Sequence, residues 1–170
     1  MDSSAYKAIF AQVKEKTGNR YAVSKLLLNL GSAYEAHMLH AARKLNLAFG
    51  EYSILVHLYF SESRNARNSQ NDLARQQKRD KALIARATRK LLKIGYISSQ
   101  RDPENRTRNI ITLAPKGREI IPQLLEALEA WEREVVYPLG NEVGGFLESL
   151  IGAHTRAEAF YDKEVGIKKG

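Results

Sequence analysis

Between Arg64 and Arg108, thirteen lysines and arginines stand against four acidic residues, a local net charge of +9, while the other 125 residues sum to about −1. Cations at this density suit a polyanion whose phosphates recur at fixed spacing. The same segment is punctuated as a helix, a turn, a second helix and a two-stranded ribbon, so the charge has a scaffold to hold it.

Ser69-Gln70-Asn71-Asp72 reads as a capping box, with an N-cap hydroxyl and an acid three positions later. Leu73 and Ala74 then point inward, and Gln77-Lys78-Arg79 makes a short break. Asp80 caps a longer helix whose buried stripe is expected to be Leu83, Ile84, Ala87, Leu91 and Ile94, closed by Gly95 in a left-handed C-cap. The opposite face holds Lys81, Ala82, Ala85, Arg86 and Arg89. Small residues between long cations suit a helix that lies deep in a major groove about 12 Å wide. Past Gly95, Tyr96 to Arg101 alternates as a strand, Asp102-Pro103-Glu104-Asn105 supplies turn chemistry, and Arg108 to Leu113 returns as a second strand. Arg101, Arg106 and Arg108 sit at the tip of this hairpin, placed for a minor groove or a phosphate.

Five runs in this order, Ser69 to Ala74, Asp80 to Arg86, Leu91 to Ile97, Arg101 to Arg106 and Leu113 to Gly117, resemble the MarR family of winged helix-turn-helix regulators over about residues 45 to 120. The resemblance implies a mainly α fold with a small β-hairpin wing, in which N- and C-terminal helices form a dimerisation body. It implies a homodimer reading the halves of a near-palindromic operator on double-stranded DNA as a repressor, and release by a small aromatic, anionic effector. The expected DNA contacts are Ser69, Gln70, Asn71 and Arg79 around the first reader helix and its turn. Lys81, Ala82, Ala85, Arg86 and Arg89 follow on the recognition helix, with Arg86 foremost, then Arg101, Arg106 and Arg108 on the wing. The wing departs from the family pattern: Asn105 stands for the usual Asp and Thr107 for the Arg two positions on, leaving Arg106 and Arg108 to bracket the vacancy. Ala114 stands where relatives often place a helix-capping Thr.

These elements need a body to hold them. The chain has 170 residues, 44% apolar and 27% charged, with four prolines and no cysteine. Such a composition folds, and it excludes disulfides, thiolate metal sites and cysteine redox chemistry. No apolar run approaches the roughly 20 residues that span a bilayer, and Met1-Asp2-Ser3-Ser4 lacks the features of a secretory signal, so a cytoplasmic location without membrane contact is expected. Helices are expected over Ser4 to Glu15 (apolar face Tyr6, Ile9, Phe10, Val13) and Tyr21 to Lys44 (Val23, Leu26, Leu27, Leu30, Tyr34, Met38, Ala41). Others are expected over Glu51 to Ser61, from Lys116 to about Tyr137, and from Phe146 to about Val165. Between Lys116 and Tyr137, Ile120, Ile121, Leu124, Leu125, Leu128, Trp131 and Val135 make a stripe too wide for one winged domain to cover, which points to a second subunit. Pro122 lies within this helix as a kink or as a mark of its first turn. The organisation expected is 1–48 for dimerisation, 49–114 for DNA binding and 115–170 for dimerisation.

Other chemistries compete for some of the same residues. His37 and His40, at i and i+3, have a spacing that can serve a metal, and a metal-responsive regulator is the alternative they carry. No further ligand lies at any local spacing, so no metal and no cofactor is expected. Tyr34, Tyr52 and Trp131 are candidates for an effector pocket, set against ordinary core packing. The chain shows no phosphate loop, no nucleophile beside a histidine and no zinc-hydrolase signature, and it is read as a non-enzyme. A non-specific architectural nucleic-acid-binding protein shares the basic segment but needs no fixed half-site spacing.

Overall fold

The computed structural model describes residues 4, 7, 8, 11, 12, 15 and 22–165. The expected apolar face Tyr6, Ile9, Phe10 and Val13 lies outside the described residues. The chain divides into two compact units, Met1–Leu128 and Glu129–Gly170.

In the first unit the order is α1 Ala22–Lys44, α2 Phe49–Glu62, α3 Gln70–Gln76, α4 Lys81–Lys93, β1 Ile97–Arg101, β2 Asn109–Leu113 and α5, which begins at Pro115 and runs to Trp131. The centre is α2, which packs on α1, α4 and β2 through buried Tyr52, Ile54, Leu55 and Leu58. Around it close Leu73 and Ala74 of α3, Ile84 and Leu91 of α4, Ile97, Ile111 and Leu113 of the hairpin, and Ile121, Leu124 and Ala127 of α5. Burying each large aliphatic side chain contributes roughly 1.5–3 kcal/mol. The strands pair antiparallel, Ile97 opposite Leu113 and Arg101 opposite Asn109. Asn68 adds an isolated bridge to Ile111, with the Ile111 amide donating to the Asn68 carbonyl over 2.7 Å. The segment between α2 and α3 is thus fastened to the hairpin at Asn68.

Several helix boundaries and faces differ from the sequence reading. Gly50, expected to precede α2, lies inside its first turn, where Glu51 closes the cap by accepting from the Ala48 amide. On α1 the C-terminal end alone reaches the core, through Met38 and Ala42, while Val23, Leu26, Leu27 and Leu30 are 41–62% exposed. On α4 the buried stripe is Ile84, Thr88 and Leu91, and Leu83 is exposed. Thr88 takes the place expected of an apolar residue because its hydroxyl donates back to the Ile84 carbonyl at 2.9 Å, which leaves only its methyl to pack. The α5 stripe is covered in part by its own chain, since Ile121, Leu124 and Ala127 are buried. Pro115 starts that helix, where a missing amide hydrogen costs nothing, and Pro122 lies within it.

Two glycines are dictated by geometry. Gly95 has φ +76°, the left-handed conformation that ends α4. At Gly117 a Cβ would stand 2.0 Å from the Tyr96 carbonyl oxygen, so the start of α5 packs on the hairpin backbone only without a side chain.

In the second unit, Glu132–Val136 forms a π turn, Tyr137–Glu142 a 3₁₀ segment broken at Gly140, and α6 spans Val143–Val165. The helix expected to run from Lys116 to about Tyr137 thus ends as an α-helix at Trp131, and the final helix starts three residues before Phe146. No residue from Glu129 to Glu164 is buried, and Phe146, Leu147, Ile151 and Phe160 are 41–66% exposed.

Leu91→Ala is expected to lower the unfolding free energy by about 2–5 kcal/mol through the cavity it leaves. Gly117→Ala should be destabilising although it adds only a methyl group. Denaturant titration of both measures this, and a wild-type midpoint for Gly117→Ala would contradict the close approach to Tyr96.

Candidate nucleic-acid interface

The helix-turn-helix is built by two caps and a turn. Ser69 starts α3 with a reciprocal box: its amide donates to Asp72 Oδ2 at 2.9 Å and its Oγ accepts from the Asp72 amide at 3.3 Å. Lys78, with φ +49°, makes the turn. Asp80 Oδ1 then accepts from the amides of Ala82 and Leu83 and starts α4. With one side of α4 seated in the core, Lys81, Ala82, Arg86 and Arg89 are exposed and Ala85 is half-buried. Lys93 continues the row from Arg86 and Arg89 at helical spacing and is also exposed. Sequence reasoning missed it, although its position four residues after Arg89 was the available signal.

The cations of the basic segment fall into two groups. Lys81, Arg86, Arg89, Lys93 and Arg106 form no ion pair or hydrogen bond through their side-chain charge among the described residues. Arg64 is also without one, whereas several others are committed inside the protein. Arg79 pairs with Glu35 at 3.3 Å and lies 5.6 Å over the Phe49 ring. Lys90 donates to the Asn46 carbonyl at 3.0 Å and to Glu51 at 2.7 Å, neutralising a carboxylate that is only 8% exposed. This pair binds α4 to the start of α2, and no local spacing in the sequence announces it.

Arg108 is the most heavily engaged. Its guanidinium lies 3.2 Å from Asp72 and 3.4 Å from Asp102, and it donates to the Arg67 carbonyl at 3.0 Å. Asp102 has a 5% exposed side chain and also faces Arg67 at 3.4 Å, while its Oδ1 accepts from the Glu104 amide. Arg67 reaches on to Glu104 at 2.8 Å. Arg67, Asp72 and Asp102 were absent from the expected set, because their partners come from three separate stretches of chain. At the hairpin tip Arg101 donates to the Arg106 carbonyl at 3.0 Å. Asn105 Oδ1 accepts from the Thr107 amide and hydroxyl, at 3.1 and 2.6 Å. Between wing and α3 lies a polar cleft of about 500 Å³ onto which Gln70, Asn71, Asn105 and Thr107 open.

The remaining candidates fall elsewhere. Tyr52 is buried and its hydroxyl donates to Met38 Sδ at 3.0 Å; burial, and then the neighbouring Tyr34, push its pKa well above the ordinary tyrosine value. Tyr34 and Tyr52 thus meet in the first unit, and Trp131 belongs to the second. The His37 ring shares a 3.1 Å hydrogen bond with the Ala127 carbonyl. No group of three or more metal-ligating side chains occurs among the described residues, and no helix among them is long and apolar enough to cross a membrane.

Burial raises the Asp72 pKa, but the two hydrogen bonds from Ser69 and the charges of Arg108 and Arg75 outweigh it and hold the carboxyl below the ordinary aspartate value. A depressed folded-state pKa contributes stability above the unfolded value and loses it as pH falls through the folded one. Asp72→Asn is therefore expected to cost about 0.5–2 kcal/mol at neutral pH and to flatten the acid limb of the stability curve. Thermal melts between neutral and strongly acid pH check this; an unchanged acid limb would remove Asp72 from that role.

The MarR family model matches residues 49–108, which run from the first residue of α2 into the wing. Comparison with curated proteins gave no match. Among solved structures, a crystal structure of MarR superposes with a TM-score of 0.66 at 26% identity, covering 83% of this chain and 93% of that one. The transcriptional regulator BldR from Sulfolobus solfataricus gives 0.64 at 23% identity, covering 85% and 97%. S. aureus MepR, as the F27L mutant bound to an oligodeoxyribonucleotide, gives 0.52 at 17% identity, covering 79% and 96%. Residues 49–108 thus match the MarR family model, and the chain shares the winged helix-turn-helix fold of solved MarR-type structures.

Proposed function

We propose that this protein is a sequence-specific DNA-binding repressor that acts as a homodimer on a near-palindromic operator. The observation that carries the reading is the row of uncommitted cations Arg86, Arg89 and Lys93 on the side of α4 away from Ile84, Thr88 and Leu91, with Lys81 exposed at the start of the helix. Charges that the protein does not neutralise itself are available for phosphates and guanine edges, and Ala82 and Ala85 between them let the backbone approach. MepR, a protein of the same fold, is known bound to an oligodeoxyribonucleotide, which supports a nucleic-acid partner.

Gln70 and Asn71 at the start of α3 are proposed to contact the backbone beside the groove. Arg79 is the weakest of the expected contacts, since Glu35 and Phe49 already hold it. The dimer is supported by the large apolar side chains that are exposed, among the described residues, on α1 and, separately, on α6. An obligate interface of over about 2,000 Å² would bury such faces. A dimer fixes the spacing of two recognition helices at about one turn of duplex, roughly 34 Å, and this turns two weak readers into one specific one. Release by a small aromatic anion is proposed on the family likeness; a ligand that favours one spacing lowers affinity without touching DNA. A regulator of this kind works in the cytoplasm, binds without catalysing, and needs no metal or cofactor.

A duplex enriched by the wild-type protein from a random-sequence library tests the reading. Two half-sites about one turn apart are expected in it. Arg86→Ala should weaken binding by about 1–3 kcal/mol, while sedimentation shows the same dimer for both proteins. Enrichment of no fixed sequence would indicate an architectural protein instead, and a monomer at working concentration would remove the half-site geometry.

A further inference from the structure

We propose that Arg106 is the cation by which the wing reaches the DNA groove and that Arg108, two residues on, is a positioning residue that ties the wing to the helix-turn-helix. This rests on the reading that residues 49–108 bind duplex DNA.

The two arginines bracket Thr107 on the same hairpin, and their surroundings are opposite. Arg108 is held by two carboxylates from different elements, Asp72 of α3 and Asp102 of the wing, and by the Arg67 carbonyl. Turning it toward DNA would break all three contacts. It would leave the buried Asp102 carboxylate facing Arg67 alone, at 3.4 Å, and an under-compensated charge in that position is costly. Arg106 has no such bond to break, because its guanidinium is uncommitted among the described residues and the residue is exposed.

The loop around Arg106 is nonetheless ordered by bonds of its own. Its carbonyl accepts from Arg101, the Asn105 side chain closes on Thr107, and the Arg108 amide donates to the Asn105 carbonyl at 3.0 Å. The backbone of Arg106 is thus fixed on both sides while its side chain projects. Arg101, with one hydrogen bond on the Arg106 carbonyl, acts to brace that loop. An exposed cation on a braced hairpin tip is the arrangement that a narrow, strongly negative minor groove selects, and such grooves accompany A·T-rich sequence.

The test uses the full-length protein and a duplex enriched by the wild type from a random library, resynthesised with either A·T-rich or G·C-rich flanks. Arg106→Gln is expected to lose roughly 10-fold in affinity on the A·T-flanked duplex and most of the preference between flanks, with an unchanged Tm. Arg108→Gln should lower the Tm and weaken the flank preference together, and Arg108→Lys, which keeps a charge against both carboxylates, should restore part of each. Arg86→Ala should weaken binding yet keep the flank preference. If Arg106→Gln binds both duplexes as the wild type does, or if Arg108→Lys abolishes the flank preference at wild-type Tm, this assignment is overturned while the DNA reading stands. If the wild type enriches no duplex at all, the DNA reading fails and carries this one with it.

Discussion

A helix that offers four cations to a polyanion has to be held by what is left of its circumference, and on α4 that remainder is narrow. Ile84, Thr88 and Leu91 are its only fully buried residues. One of them is a threonine whose hydroxyl is returned to its own helix. Like charges along the outer face repel one another, so the apolar seat must outweigh that repulsion as well as the entropy of ordering the helix. Lys90 adds a polar fastening where the seat ends, by meeting a buried carboxylate on α2. Everything proposed about recognition depends on this helix staying in place with no DNA present.

The same economy governs the basic segment as a whole. A net charge of +9 over forty-five residues looks from the sequence like one electrostatic patch. In the fold it separates into cations that hold the domain together and cations that face outward. Arg67, Arg79, Lys90 and Arg108 are matched by Asp102, Glu104, Glu35, Glu51 and Asp72, which come from α1, α2, α3 and the wing. The few acids among the bases are therefore not dilution of the patch: three of the segment's four carboxylates, Asp72, Asp102 and Glu104, take part in these pairs, and the fourth, Asp80, caps the recognition helix.

The wing shows how a departure from a family pattern is absorbed. With Thr107 in place of an arginine and Asn105 in place of an aspartate, the turn closes on itself through an amide and a hydroxyl. Asp72 and Asp102 bind Arg108, and the wing is joined to α3 by an ion pair that crosses between elements. A polar joint of this kind directs the hairpin while contributing little net stability, since desolvation offsets much of the attraction.

Local signals were sufficient for the elements themselves. The capping box at Ser69, the N-cap at Asp80, the left-handed glycine at 95 and the turn residues between the strands act within a few positions along the chain, and the structure has each where the residues imply it. The outward face of α4 followed from periodicity for the same reason. What periodicity could not supply was which side of an apolar stripe finds a partner. Leu83 is exposed, the first half of α1 is uncovered, and part of α5 is buried by its own chain, because burial is settled by neighbours distant in sequence. Nor could composition tell a free arginine from a committed one: Arg106 and Arg108 are identical residues two positions apart, and only the arrival of Asp72 and Asp102 from other stretches of the chain separates them.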